Sequence, residues 1–168
     1  MIKRLMVERM RQVKDQRYGD HYNPSATYHD ACDEAIRRGD RTIGTEHLLL
    51  ALLVDPESPA PKALGYDLES ARAALDAMDR EVLAAVGLKT GITGPPIGVR
   101  TRGRLRLTPA AKSVLVGILN TAQARRSGLE QVLNALLELE RSDPAAELLT
   151  ALGVDASTVR ARFTEADR

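Results

Sequence analysis

The chain repeats itself, and that constrains its fold more than any local propensity does. Asp55-Pro56, then Ala63-Leu64-Gly65, then Asp67, recur in the same order and spacing as Asp143-Pro144, Ala151-Leu152-Gly153 and Asp155, with Arg72 matched by Arg160. Upstream, Gly44-Thr45-Glu46-His47-Leu48-Leu49 recurs as Gly128-Leu129-Glu130-Gln131-Val132-Leu133, and Ala51-Leu52-Leu53 as Ala135-Leu136-Leu137. A unit of this size cannot bury its apolar face alone, so the two copies must pack on each other. The fold class that follows is all-α: two tandem four-helix repeats, each long, medium, short, long, packed about a pseudo-twofold axis, with a short helix in front.

The helices are written in caps and stops. Asn23-Pro24 offers an N-cap followed by proline at the first helical position, and the pattern runs to about Arg38 and stops at Gly39. A loop from Asp40 to Gly44 leads to Thr45, read as a second N-cap. The run His47-Leu48-Leu49-Leu50-Ala51-Leu52-Leu53 is apolar nearly all round, which places the helix from Glu46 to about Val54 at the centre. A short helix near Pro61–Leu64 ends at Gly65, and Asp67 caps a longer one to about Ala85, closed by Gly87. Thr108-Pro109 restarts the helical text, with helices expected at about 109–126, 129–141, 144–152 and 156–166. Residues 88–105 carry four Gly, two adjacent Pro and three Arg and read as a linker. The expected organisation is an extension over 1–20, repeat one over 21–87, the linker 88–105 and repeat two over 106–168, with 21–168 forming one domain. Residues 2–16 read as a short basic helix.

Composition narrows the function classes. With 24 Lys+Arg against 23 Asp+Glu the net charge is +1, whereas a duplex-binding protein shows a basic excess. A nucleic-acid-associated protein, using the basic N-terminal helix and the alternating Arg100, Arg102, Arg104 and Arg106, is the alternative reading. One cysteine, Cys32, excludes an intramolecular disulfide and fits a cytoplasmic protein. The N-terminal apolar residues are broken by charges every two or three positions, so they form neither a signal peptide nor a membrane span. There is no G-x-x-x-x-G-K-[ST] string to cradle phosphates and no constellation for bond-making. His29 and Cys32 stand at i, i+3, but two ligands without a second pair make no zinc site. No cofactor, no metal and no enzymatic activity are expected.

The string Ile43-Gly44-Thr45-Glu46-His47-Leu48-Leu49-Leu50-Ala51-Leu52, together with Leu107-Thr108-Pro109-Ala110-Ala111-Lys112-Ser113-Val114-Leu115, resembles the amino-terminal domain of Clp-type protein unfoldases over about residues 21–166. The resemblance implies a tandem of four-helix repeats acting as a protein-binding, substrate-receiving module. It also implies a role as accessory, adaptor or decoy in Clp-dependent proteolysis. The partners implied are the Clp ATPase/protease system or its protein substrates. No ATPase module is present in this sequence, which reads as a free-standing copy of that domain. In several members of the family the domain recognises arginine phosphorylated on its side chain. A carboxylate then pairs with the guanidinium, while a hydroxyl, a basic side chain and helix N-terminal amides take the phosphate. Carried onto this sequence, the carboxylates are Glu46 beside Thr45, and Glu130; the phosphate side of repeat two falls on Thr108 and Lys112. In repeat one the corresponding opening is Gly19-Asp20-His21-Tyr22, which departs from the family pattern. Thr45 and Thr108 are also explained as caps, Glu46 by the helix dipole, Lys112 by solvation, and His47 as a hydrogen-bonded packing residue.

Overall fold

The computed structural model describes residues 24–87, 105–119 and 124–166; the expected extension over 1–20 with its basic helix, and residues 88–104 of the expected linker, lie outside them. The described residues form α1 (Pro24–Arg38), β1 (Thr42–Ile43), α2 (Thr45–Leu52), α3 (Pro59–Leu64), α4 (Leu68–Ala85), β2 (Arg106–Leu107), α5 (Pro109–Leu119), α6 (Ala124–Leu137), α7 (Pro144–Ala151) and α8 (Ala156–Ala166). The described residues are all-α apart from two short strands. These pair in parallel, Thr42 with Arg106 and Ile43 with Leu107. The strands had no signal in the sequence, because two residues are too few to show alternation. Among the described residues no helix is long and apolar enough to cross a membrane.

The letter repeat is a hydrogen-bond repeat. Asp55 Oδ1 accepts from the Glu57 N–H at 3.0 Å, and Asp143 Oδ1 from the Ala145 N–H at 3.0 Å. Gly65 after α3 and Gly153 after α7 both take positive φ, +77° and +68°, the left-handed stop that glycine accepts without strain. Asp67 then accepts from the Ser70 N–H at 2.7 Å, and Asp155 from the Thr158 N–H at 2.8 Å, each capping the long helix that follows.

The packing is reciprocal. The short helix of the first half, α3, lies on the long helix of the second, α8; the short helix of the second, α7, lies on the long helix of the first, α4. Likewise α2 touches α7 while α6 touches α3, and α2 and α6 touch each other. Exchanging the halves reproduces these contacts, which is the pseudo-twofold arrangement. Helix α2 is the hub: it meets α1, α4, α5, α6 and α7, and all of its residues except Glu46 are buried. That explains a helix apolar on every side. The core is aliphatic, built from Ile43, Leu48–Leu50, Leu52, Val132, Leu133, Leu136 and Leu148, with Phe163 as its one buried phenylalanine.

Four boundaries differ from expectation. Gly44, not Thr45, is the N-cap of α2; Thr45 is already helical. Gly44 is extended, with φ −93° and ψ −180°, and has no side chain to cap with, so its own N–H is taken by the His47 ring instead. The helix expected over 109–126 is described only to Leu119, and α6 has begun by Ala124. Gly128 therefore sits inside α6, buried, and does not open a helix as Gly44 does. Leu105, expected as the last linker residue, is buried in the core and leads directly into β2.

Candidate functional site

The start of α2 carries a dense polar network. Gly39 turns the chain out of α1 at φ +79°, and β1 brings it back to Gly44. This turn sets Asp40 beside His47, whose Nε2 lies 2.9 Å from Asp40 Oδ2. His47 is 1 % exposed; its Nδ1 accepts the Gly44 N–H at 3.0 Å and lies 3.0 Å from Glu46 Oε1. These contacts describe two states. A neutral ring accepts from Gly44 and donates to Asp40. A charged ring donates to both Glu46 and Asp40 and gives up the Gly44 bond. Burial works against the charged ring, but the Asp40 and Glu46 carboxylates outweigh it and raise the His47 pKa above its ordinary value. Asp40 is held below the usual carboxylate range, chiefly by its bond to His47 and then by the Arg38 charge, against the effect of burial.

Glu46 folds back over the helix start. Its side chain is 16 % exposed, and its Oε2 is buried with no hydrogen-bond partner among the described residues. A Cβ on Gly44 would lie 2.2 Å from that oxygen, so glycine is what lets the carboxylate come so close. Arg38, at the end of α1, donates to Asp40 (3.1 Å), to Asp76 (2.9 Å) and to Asp79 (2.5 Å). Arg38 thereby ties α1 to α4.

Beside this network lies a cleft of about 360 Å³. Leu75, Met78 and Val82, one face of α4 at helical spacing, form its apolar wall. Asp40, Arg41, Thr42, Glu46 and His47 line the cleft as well, together with Arg38 and Asp79. Pro144 and Glu147 of α7 close it from the second half. Four carboxylates, two guanidinium groups and the His47 ring line it, with Asp40 and Asp79 paired to Arg38. Asp40, Glu46 and His47 bring donor atoms within 4.8 Å of one another, which is ligand spacing for a cation. Both nitrogens of His47 already have partners, and Arg38 holds a positive charge on Asp40, so the trio fits a hydrogen-bond network better than a metal centre.

The sequence matches the Clp repeat (R) N-terminal domain family over residues 25–145. The chain belongs to this family. It is similar to the ATP-dependent Clp protease ATP-binding subunit ClpC of Staphylococcus aureus (strain USA300), 33% identical over 141 residues, covering 81% of this chain and 15% of the relative. It is equally similar to the ClpC of Staphylococcus epidermidis (strain ATCC 12228 / FDA PCI 1200), 33% identical over 142 residues with the same coverage. The chain thus spans about 15% of the length of the curated relatives it matches.

Within this Clp repeat pair the five expected binding residues have different fates. Glu46 lines the cleft. Thr45 is beside it in sequence but is 1 % exposed, and its hydroxyl donates to Asp143 Oδ1 at 2.5 Å across the two halves. Thr108 caps α5 by accepting the Ala111 N–H at 3.2 Å, and Lys112, one turn on, is exposed. Glu130 is the seventh residue of α6, which puts it ~9 Å along the axis from the helix start at 1.5 Å per residue. No helix N-terminus therefore opens beside Glu130 as α2 does beside Glu46. Of the other candidates, Cys32 is fully buried while His29 is exposed, so the pair does not converge. Arg41, Asp79 and Glu147 were missed as lining residues. They meet only through tertiary packing, and no local pattern marks them.

Proposed function

We propose that this Clp repeat pair is a non-catalytic receptor for polypeptide segments, acting as an accessory, adaptor or decoy in Clp-dependent proteolysis. Its grip is on an arginine side chain of the bound segment, held at Glu46. The observation that carries this reading is a cleft of about 360 Å³ walled by Glu46, one of whose carboxylate oxygens is buried without a donor. An unsatisfied buried acceptor is unfavourable by ~1–3 kcal/mol, so turning the carboxylate outward to meet a planar guanidinium would supply it with a donor. Family membership supports the same reading: the relatives are ATP-binding subunits of ATP-dependent Clp proteases. For a phosphorylated arginine the phosphate would fall to Arg41 and Thr42 at the rim, in place of the family's lost opening string. In the second half Thr108 and Lys112 keep the phosphate-side chemistry, but Glu130 lacks the helix start that would complete a clamp.

Fluorescence anisotropy with labelled arginine and phosphoarginine peptides tests the grip, and co-sedimentation with a purified ClpC-type unfoldase tests the pathway. The expected result is saturable peptide binding that Glu46→Gln weakens at least tenfold. Binding that ignores Glu46, or no binding of any arginine peptide, overturns the reading.

A further inference from the structure

We infer that His47 is a proton-operated latch on Glu46: a proton on Nδ1 ties the Glu46 carboxylate to the start of α2, and its loss hands Nδ1 to the Gly44 amide and releases Glu46 toward the cleft. The geometry sets an exclusive choice. His47 Nδ1 lies 3.0 Å from the Gly44 amide nitrogen, a donor, and 3.0 Å from Glu46 Oε1, an acceptor. One ring nitrogen cannot accept from the first and donate to the second at once, so its proton decides which contact is a hydrogen bond.

The ring's other surroundings confine the change to Nδ1. Nε2 faces Asp40 at 2.9 Å in either state, and Asp40 is held by Arg38, which Asp76 and Asp79 of α4 hold in turn. His47 is 1 % exposed on the hub helix, so close packing keeps the ring where it stands. Of the other charged groups beside the start of α2, Asp143 of α7 is taken by the Thr45 hydroxyl. Arg41 and Glu147 line the cleft at exposed positions with opposite signs, where solvent screens them. Among the described residues, α5 and α6 place none in the cleft lining. Asp40 and Glu46 are therefore the carboxylates that answer to the ring's charge; burial opposes that charge, but together they outweigh it. Once the ring is neutral, Glu46 has no donor. Its Oε1 faces the Nδ1 lone pair, and its Oε2 is buried with no hydrogen-bond partner among the described residues. An ionised carboxylate in that position is driven toward water, and the cleft it lines is the way out. Gly44 keeps the latched position reachable, since a Cβ there would lie 2.2 Å from that Oε2.

Nuclear magnetic resonance of the full chain across the His47 titration tests the latch, which needs no ligand in the cleft. The nitrogen–nitrogen coupling across the Gly44–His47 hydrogen bond should be present above the ring's titration midpoint and absent below it. Glu46→Gln removes the charge that the latch holds, and Gly44→Ala removes the room for it. Each should lower the midpoint by about one pH unit, tenfold in proton affinity, while the coupling above the midpoint persists. The two variants reach the same end by different routes, so a folding defect in one leaves the other to be measured. A coupling that survives below the midpoint overturns the latch. So does a midpoint unmoved in either folded variant, or a ring that stays neutral until the chain unfolds in acid.

Discussion

The joint between the two halves can be dissected at Thr45 and Asp143. Asp143 Oδ1 does two jobs: it caps α7 through the Ala145 N–H at 3.0 Å and accepts the Thr45 hydroxyl from the first half at 2.5 Å. Removing an N-cap costs ~1 kcal/mol. A hydrogen bond to a charged group contributes ~1.5–3 kcal/mol, and a hydroxyl left buried without an acceptor is unfavourable by a similar amount. Thr45→Val keeps the volume at a 1 % exposed site and removes only the bond. Because Asp143 is half-buried and water can replace the donor, the loss falls at the low end, ~1.5 kcal/mol. Asp143→Ala loses the cap and the bond and strands the hydroxyl, ~3 kcal/mol together. At ~2–4 °C per kcal/mol for a chain of this size, the melting temperature falls by ~3–6 °C and ~6–12 °C respectively. The double variant has no stranded hydroxyl, so it should lie close to Asp143→Ala alone, a coupling of at least 1 kcal/mol. Thermal melts of the four proteins followed by circular dichroism measure this directly. Additive losses would refute the claim that this bond joins the halves, as would an Asp143→Ala loss no larger than that of a cap.

Leu49→Ala, at a fully buried position of the hub helix, should cost ~2–5 kcal/mol in a denaturant titration. Gly44→Ala keeps an allowed backbone, since φ is −93°, but drives the Glu46 carboxylate outward; stability should change by less than ~1 kcal/mol while arginine-peptide binding persists, and a collapse of the fold would contradict this. The raised His47 pKa means its charged form stabilises the fold fully below about pH 6.5 and loses that contribution as pH climbs through the higher folded value. Melting temperature should therefore decline over that window at constant salt, and His47→Gln should flatten the decline. Glu130→Gln should leave arginine-peptide affinity within twofold of the parent while Glu46→Gln does not, and a comparable loss from both would place a second working cleft in α6.

The caps and stops were legible because they are local. Asp67, Asp155, Gly65 and Gly153 each act within three residues, and their letters alone fix the ends of α3, α4, α7 and α8. The buried run His47–Leu53 announced the hub for the same reason: one helix apolar on every side has nowhere else to go. What failed was transfer by letter. Gly128 aligns with Gly44, yet the shorter stretch before it leaves no room for a strand and a cap, and the residue is absorbed into α6. Thr45 carries the letter of an N-cap, but the glycine before it is where the backbone leaves the helix, which frees the threonine hydroxyl to bond across the halves. The site was legible only at Glu46. Asp79 lies thirty-odd residues beyond it and Glu147 about a hundred, in different repeats, and their meeting depends on the packing of α4 and α7, which no window of sequence contains.

The asymmetry between the halves has a physical logic. In the register of the repeat, Pro144 and Glu147 of α7, which close the first cleft, correspond to Pro56 and Pro59 beside α3. A second cleft at Glu130 would therefore be closed by a proline where the first is closed by a carboxylate. Even with Glu130 brought to a helix start, that wall would offer a guanidinium no second acid. The lack of a helix opening at Glu130 and of a carboxylate at Pro59 point the same way: the reciprocal contacts are common to both halves, while the lining of the first cleft draws Glu46 from one half and Glu147 from the other.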